Sequence, residues 1–238
     1  MNMLDMAIPE IAEPQICRNE NPVHSDFIDA GRAGEICIAM QYPVLQMKHA
    51  VADCFVREEV YERLLRVQQK LPEGLRLVIW DAWRPYALQE ELFYAYSDKI
   101  IQEFGLQNAD KEQQNRIISR YVCLPTREKF RTPVHTTGGA VDVTLRTKDG
   151  ADLPMGTAFD EMTDRTHTAC YEKETGEEQA AVIRRNRRLL YYAMTAEGFT
   201  NLPSEWWHYD YGDRFWAYYT GQQIMYDEVY DREKVHAK

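Results

Sequence analysis

The run LRLVIWDAW at residues 75–83 limits the fold more than any other stretch of this sequence. It is apolar and contains adjacent β-branched side chains, which is typical of a buried strand. Helical patterns lie on both sides of it. Residues 57–71 repeat apolar side chains at helical spacing, and residues 85–105 begin with a proline and end at a glycine. The sequence therefore predicts a buried strand between two helices.

The remaining elements follow in mixed order, without regular strand–helix repetition. The patterns predict a helix at 111–122, a strand at 139–146, a long helix at 177–198 and an aromatic strand at 205–211. This order favours an α+β fold. We expect a single domain over residues 1–238, with a small, mostly antiparallel sheet flanked by helices. The proline-containing residues 1–50 are expected to pack on the core as an irregular segment.

Composition excludes several classes of protein. The formal net charge of −10 argues against a nucleic-acid-binding surface, because phosphate neutralisation needs clustered lysine and arginine. The one basic run, RRNRR at 184–188, is expected to be a solvated helix face. The five cysteines are scattered without a C-x-x-C pair, so we expect reduced thiols. No stretch predicts a membrane span or a secretory signal, which favours a cytoplasmic protein, or a periplasmic one if a signal has been removed.

The segment HTTGGAVDV at 135–143 combines a histidine, two glycines and a carboxylate. Gly138 and Gly139 permit a sharp turn that could bring His135 beside the strand that carries Asp142. Imidazole and carboxylate are both good zinc ligands. A glycine turn that leads into a buried strand, with His135 and Asp142 incidental, is the alternative interpretation.

The segment SEWWHYDY at 204–211 places a glutamate three positions before a histidine. His208 could supply a third ligand, which would leave the fourth zinc position open as in catalytic sites. Glu205 would then be the general base. A core strand with His208 only hydrogen-bonded explains the same residues.

Arg84 follows the predicted strand and immediately precedes a proline. A guanidinium at the end of a buried strand can point into a cleft and stabilise an oxyanion, and Asp81 could orient it. An Arg84–Asp81 pair that only holds the turn is equally compatible with the sequence.

Asp160 lies in the polar loop at 155–169, which also contains His167. As an anion it could pair with the ammonium group of a substrate. Charged loops are also common without any ligand.

Taken together, these four segments resemble the D-alanyl-D-alanine dipeptidases of the VanX type, within the wider group of zinc D,D-peptidases. The pattern H-x-x-G-x-A-x-D is present at 135–142 and E-W-W-H-Y at 205–209. WDAWRP at 80–85 looks like the family's W-D-x-[YW]-R-P, and PMGTAFD at 154–160 matches P-M-G-[ST]-x-F-D. The four blocks stand in family order, which makes the resemblance specific.

The resemblance implies one zinc ion per chain, in a cleft on the sheet, with His135, Asp142 and His208 as its ligands. Glu205 would be the general base, and the nucleophile would be a water that the zinc activates. These implied roles agree with the chemistry of the residue types.

The resemblance also implies the residues that bind the substrate. Arg84 would stabilise the oxyanion with support from Asp81, and Asp160 would receive the free amino terminus of a small dipeptide. Tyr42, in QYPVLQMKHA, would lie near the active site.

One position departs from the family pattern. The family commonly has a serine two residues before the first histidine ligand, where this chain has Pro133. A proline offers no hydroxyl, which weakens the expectation of a strict preference for D-Ala-D-Ala.

Two other functions compete with the dipeptidase. One is a zinc D,D- or L,D-peptidase that acts on longer cell-wall peptides, against which Asp160 argues because an amino-terminal anchor would obstruct a longer chain. The other is a non-catalytic zinc-bearing binding module, which would need neither Glu205 nor Arg84.

Overall fold

The computed structural model describes residues 3–174, 177–235 and 237. Within these residues the chain forms short 3-10 turns and the following helices and strands: β1 (Phe27–Asp29), α1 (Ala30–Ala33), β2 (Cys37–Ile38), α2 (Gln41–Val44), β3 (Phe55–Arg57), α3 (Glu58–Lys70), β4 (Leu75–Asp81), α4 (Tyr86–Glu103), α5 (Lys111–Ile118), β5 (Ala140–Thr147), α6 (Glu178–Thr195), β6 (Thr200–Asn201), β7 (His208–Asp210) and α7 (Arg214–Thr220). None of the described helices is long and apolar enough to cross a bilayer.

The central sheet has five strands in the order β2-β4-β5-β7-β6. Only the β2–β4 pair is parallel, and the other pairs are antiparallel. A second, two-stranded sheet pairs β1 with β3. The predicted α+β fold with a small, mostly antiparallel sheet is therefore confirmed.

The hydrophobic core lies against the central sheet, and helices pack over it. The middle of β4 and of β5 is buried on both faces, which explains why LRLVIWDAW is so apolar. α3 buries its apolar stripe of Val60, Leu64 and Val67, as its helical spacing predicts. The sheet thus has a rigid centre at β4–β5, and the ends of these strands hold the polar residues described below.

The first fifty residues are less irregular than their prolines suggest. From residue 27 onward they supply strands to both sheets and two short helices. Of the preceding residues, Met3–Asp5 form a 3-10 turn, and hydrogen bonds attach this segment to the body. The Tyr192 hydroxyl donates to the Ala7 carbonyl over 2.7 Å, and the Tyr219 hydroxyl donates to the Ala12 carbonyl over 2.9 Å. Strand formation here needs partners from β3 and β4, which local sequence does not reveal.

Two expectations about local structure are wrong. The aromatic strand predicted at 205–211 is only His208–Asp210, because Glu205–Trp207 form a turn that closes the β6–β7 hairpin. The basic run on α6 is not a uniformly solvated face either. Arg187 is only 2% exposed and donates to the carbonyls of Met155, His167 and Arg165, so it holds two loops against the helix.

Candidate metal centre and substrate cleft

Three buried side chains, His135, Asp142 and His208, meet at one end of the central sheet. His135 lies in the 3-10 turn Val134–Thr137 that precedes β5, Asp142 lies within β5, and His208 begins β7. The strand register pairs Asp142 with His208, so the two side chains are neighbours across the ladder. Of the sequence candidates, the structure brings these three together.

The three candidate ligand atoms form a nearly equilateral triangle. His135 Nε2 lies 3.2 Å from His208 Nδ1 and 3.5 Å from Asp142 Oδ1, and the last two atoms are 3.1 Å apart. A tetrahedral zinc ion with bonds of roughly 2.0–2.1 Å has ligand–ligand edges of about 3.3–3.4 Å. The donor set and its spacing therefore fit a tetrahedral ion with one open position.

The outer nitrogens of both histidines have acceptors that fix their orientation. His135 Nδ1 lies 2.7 Å from the Ala82 carbonyl oxygen, and His208 Nε2 lies 2.8 Å from Asp210 Oδ1. When these nitrogens carry the protons, His135 Nε2 and His208 Nδ1 present lone pairs toward Asp142. Such partners orient the ligand rings at metal sites.

The two glycines before β5 make the approach of His135 possible. Gly138 has φ of 75° and ends the 3-10 turn, and a Cβ there would lie 2.3 Å from the Phe27 ring. A Cβ on Gly139 would lie 2.4 Å from the backbone oxygen of Tyr211. Only glycine satisfies both the turn and the close packing.

Electrostatics at the triangle favour a bound cation. Burial opposes the ionisation of Asp142, but His135 and His208 outweigh it and lower the pKa of this carboxyl below its usual range. Burial likewise disfavours a charged His208, yet Asp210 and Asp142 raise the pKa of this imidazole well above its usual value. A divalent ion would take the place of that proton, which couples metal affinity to pH.

Glu205 lies beside the triangle without belonging to it. Its Oε2 is 3.8 Å from His208 Nδ1, and its side chain remains 29% exposed to the cleft. Burial, reinforced by the nearby Asp142 and Asp160 carboxylates, raises the pKa of Glu205 to about 8, although His208 and Arg84 oppose the shift. A carboxyl at this position can exchange a proton with a small molecule in the cleft.

Arg84 is held in the cleft by three neighbours. Its Nε and Nη2 donate to Asp81 Oδ2 over 3.0 and 2.8 Å, its Nη1 donates to Gln89 Oε1 over 2.8 Å, and its Nη2 donates to the Tyr42 hydroxyl over 3.1 Å. A register shift between Ile79 and Asp81 brings Asp81 opposite Asp142. Arg84 Nη2 lies 3.7 Å from Asp142 Oδ2, which places the guanidinium group of Arg84 at the edge of the triangle.

Asp160 faces the same cleft from the loop after β5. Its Oδ2 accepts hydrogen bonds from the hydroxyls of Tyr42 and Tyr96, over 2.8 and 2.7 Å. Its backbone has φ of 54°, an uncommon conformation for a residue other than glycine. Burial raises the pKa of Asp160 to about 6, while Arg84 and the two tyrosines oppose the shift. Asp160 therefore presents a carboxyl group, held by two hydrogen bonds, to the cleft that the triangle also lines.

The cleft between these groups is small, with a cavity volume of about 80 Å³. Pockets for drug-sized ligands usually hold about 300–1,000 Å³. A larger cavity of about 480 Å³ lies beside the N-terminal segment and contains His167 in its wall. None of the triangle residues, Glu205, Arg84 or Asp160 lines that larger cavity, so the candidate site residues lie at the small cleft.

Three residues of this site were missed from sequence alone. Asp210 follows His208 by two positions, and the alternation of a strand could have indicated that both side chains share a face. Gln89 and Tyr96 lie seven residues apart on one face of α4. Nothing local indicates that this face points at Arg84 and Asp160, because that depends on how α4 packs.

Comparisons with known proteins found several relatives of this chain. A family profile described as D-ala-D-ala dipeptidase matches residues 20–232. The chain is 29% identical over 181 residues to a D-alanyl-D-alanine dipeptidase of Synechocystis, covering 71% of this chain and 73% of that protein. It is 30% identical over 188 residues to the D-alanyl-D-alanine dipeptidase of Escherichia coli, covering 73% of this chain and 82% of that protein.

A solved structure shows a more distant likeness. It is the vancomycin resistance D,D-pentapeptidase VanY from a VanB-type cassette, crystallised with Zn(II), with a TM-score of 0.41 and 16% identity over 74% of this chain and 85% of that chain.

Proposed function

Because this chain belongs to the D-Ala-D-Ala dipeptidase family of peptidases, we propose that it hydrolyses D-Ala-D-Ala or a similar small dipeptide with one zinc ion. The proposal rests on three features that lie together. They are a triangle of ligand atoms whose edges fit a tetrahedral zinc ion, the Glu205 carboxyl beside this triangle and the Arg84 guanidinium held at its edge. The carboxyl of Glu205 and the guanidinium of Arg84 have roles in peptide hydrolysis that a site built only to hold metal does not need.

His135, Asp142 and His208 would hold the zinc. When bound, such an ion acts as a Lewis acid and makes water a nucleophile near neutral pH. A bound cation would also favour the ionised carboxylate of Glu205 and so oppose the rise that burial causes in the pKa of this group.

Glu205 would move the proton. As the hydroxyl of water adds to the peptide carbonyl carbon, Glu205 takes the proton of that water. It then delivers the proton to the departing nitrogen when the carbon–nitrogen bond breaks, which gives a carboxylic acid and a free amine.

Arg84 would stabilise the developing oxyanion. Asp81, Gln89 and Tyr42 hold its guanidinium before substrate arrives, so little reorganisation is needed during the reaction. The pair with Asp81 also keeps the buried guanidinium from being an uncompensated charge. Arg84→Ala is expected to lower kcat by about 10²–10³-fold.

Asp160 would bind the ammonium group of the dipeptide. Its Oδ2 is occupied by the two tyrosine hydroxyls, so the other carboxylate oxygen is the one available to substrate. An ammonium anchor within a cavity of about 80 Å³ favours short substrates over long cell-wall peptides. The placement of Glu205 beside the triangle and of Arg84 at its edge favours an enzyme over a binding module.

The experiment that tests this function is amino-acid release from the four stereoisomers of Ala-Ala and from N-acetyl-D-Ala-D-Ala, with and without a chelator. We expect chelator-sensitive release from D-Ala-D-Ala and far less from the acetylated compound. Pro133 stands where the family has a serine, so strict preference for D-Ala-D-Ala is not assumed. The isomers that contain L-alanine are therefore assayed over the same concentration range as D-Ala-D-Ala. Release from none of the free dipeptides would contradict the proposal, and preference for the acetylated one would favour the longer-peptide alternative.

A further inference from the structure

The loop between β6 and β7 carries the base and leads directly into a metal ligand. It spans residues 202–207, contains Glu205 and ends at His208. The side chain of Asn201, the last residue of β6, lies inside this loop and is only 3% exposed. The function described above gives Asn201 no part in the reaction, although its side-chain nitrogen contacts the backbones of both Glu205 and His208.

The Asn201 carboxamide uses all of its hydrogen-bonding groups. Its Nδ2 donates to the backbone oxygen of Glu205 over 3.0 Å and to that of His208 over 2.9 Å. Its Oδ1 accepts a 2.7 Å hydrogen bond from the buried Thr168 hydroxyl. The two carbonyls require donors, so the opposite orientation of the amide would leave both facing an oxygen.

The loop also has backbone hydrogen bonds that do not involve this amide. The Leu202 N–H donates to the His208 carbonyl over 3.2 Å, and the His208 N–H donates to the Glu205 carbonyl over 3.3 Å. Both carbonyls therefore keep one partner when the Asn201 side chain is removed. Closure of the loop therefore does not require the Asn201 side chain. What the side chain adds is that one atom, Nδ2, holds the backbone oxygens of both Glu205 and His208.

We propose that Asn201 is a positioning residue that fixes the base relative to the metal ligand, with Thr168 holding its amide in place. This role rests on the proposed hydrolysis. Glu205 Oε2 and His208 Nδ1 are 3.8 Å apart, and both side chains extend from the backbone that Asn201 clamps. A misplacement of about 1 Å at a reacting centre can cost about 10²-fold in rate.

The first test is a double-variant cycle of Asn201→Ala with Glu205→Gln. In the wild-type background we expect Asn201→Ala to lower kcat about 10²-fold and to leave KM within about threefold, because no group that binds substrate is lost. In Glu205→Gln, where the base is absent, the same change should lower the remaining kcat by less than about threefold. Equal losses in both backgrounds would overturn the proposal, since they would reflect general loosening.

The second readout does not depend on activity. A crystal structure of zinc-loaded Asn201→Ala should show the Glu205 carboxylate displaced by about 1 Å or more from its place beside His208. Zinc affinity from chelator competition should stay within about tenfold of wild type, because the three ligands remain. Asn115→Ala, at an exposed position of α5, is the control. An undisplaced Glu205 would overturn the proposal.

Thr168 provides an independent pair of variants if Asn201→Ala does not fold. Thr168→Val removes the hydroxyl that holds the amide, whereas Thr168→Ser retains it, so we expect kcat to be about tenfold lower in the valine variant than in the serine variant. Equal kcat values would overturn the role. Failure of the proposed hydrolysis and failure of the positioning role give different results. A wild-type protein that is inactive on every dipeptide would contradict the proposed hydrolysis. An active wild-type protein whose kcat equals that of Asn201→Ala would contradict only the positioning role of Asn201.

Discussion

At the scale of single residues, the cleft contains two carboxyl groups with different proposed roles. Asp160 would have to be ionised to hold an ammonium group, whereas Glu205 would have to gain and lose a proton. Their environments differ accordingly, since two tyrosine hydroxyls donate to Asp160, whereas Glu205 has part of its surface open to the cleft. Hydrogen bonds to a carboxylate favour its ionised form, and burial opposes it.

The pKa of Asp160 predicts how substrate binding depends on pH. With this pKa raised to about 6, Asp160 is neutral at lower pH and loses its attraction for an ammonium group. The α-amino group of a dipeptide in turn loses its proton above roughly pH 8. We therefore expect the KM of a free dipeptide to be lowest between about pH 6 and pH 8. In Asp160→Asn the rise of KM on the acidic side should disappear, and its persistence there would contradict the anchor role.

Tyr96→Phe tests the support of that carboxylate. Removal of one of two donors raises the pKa of Asp160 further, so the acidic rise of KM should move to higher pH. At pH 7 we expect KM to increase about 3- to 10-fold with little change in kcat, as for a weakened charged hydrogen bond. Tyr94→Phe, on the same helix and 65% exposed, is the matched control. A loss of kcat without a change in KM would show that Tyr96 acts elsewhere.

At the scale of elements, the site depends on how β5 begins and what lies beside it. The 3-10 turn, Gly138 and Gly139 place His135 beside β5, and the register of β5 with β7 brings Asp142 against His208. The register shift near the end of β4 places Asp81 opposite Asp142, on the side of β5 away from His208. The geometry of the ligand triangle is thus set by strand pairing and by one tight turn.

Gly139→Ala should damage this arrangement directly. Its φ is ordinary, but the new Cβ would lie 2.4 Å from a backbone oxygen of Tyr211, which cannot move without shifting the strand next to β5. We expect the free energy of unfolding to fall by about 1–3 kcal/mol and zinc affinity to fall as well. Gly31→Ala is the control, since its Cβ would meet only side-chain atoms, Asp29 Oδ1 at 3.3 Å and Ile38 Cγ1 at 3.9 Å. Denaturant unfolding of both variants gives the comparison, and equal stabilities would contradict the argument.

The parts of the site that sequence could predict are those encoded within one segment. His135 and Asp142 lie seven positions apart around two glycines, Glu205 and His208 lie three apart, and Asp81 and Arg84 flank one turn. The contact between Asp160 and Tyr96 joins positions 64 residues apart and depends on the packing of α4. The hydrogen bonds from the Asn201 side chain to the backbone oxygens of Glu205 and His208 were also missed. A strand over the whole of 205–211 would have directed these backbone oxygens to a neighbouring strand rather than to a side chain.

At the scale of the whole molecule, the sheet acts as a rigid base for a site assembled from distant segments. Its central strands are buried on both faces, and the cleft residues come from α2, α4, the end of β4 and the loops around β5 and β7. A bound ion would tie together β5, β7 and the turn before β5. Metal binding should therefore contribute to the stability of the entire domain.

Thermal unfolding tests that coupling. Zinc at about 100 times its dissociation constant should stabilise the protein by about 2.7 kcal/mol and raise the Tm, and a chelator should reverse the effect. His208→Ala should abolish the increase. His167→Ala, in the wall of the separate larger cavity, should retain it. A zinc-dependent increase that survives in His208→Ala would place the metal elsewhere.

The proposed function requires that His135, Asp142 and His208 would hold one zinc ion and that Glu205 would move the proton during hydrolysis of a small D-dipeptide. The most direct measurement is alanine release from D-Ala-D-Ala by metal-free protein titrated with zinc, in parallel with Glu205→Gln. We predict that activity rises in proportion to zinc and reaches a plateau at one ion per chain, while Glu205→Gln binds the same amount of zinc and loses about 10²–10⁴-fold in kcat. Hydrolysis that persists without zinc, or that is undiminished in Glu205→Gln, would contradict the account.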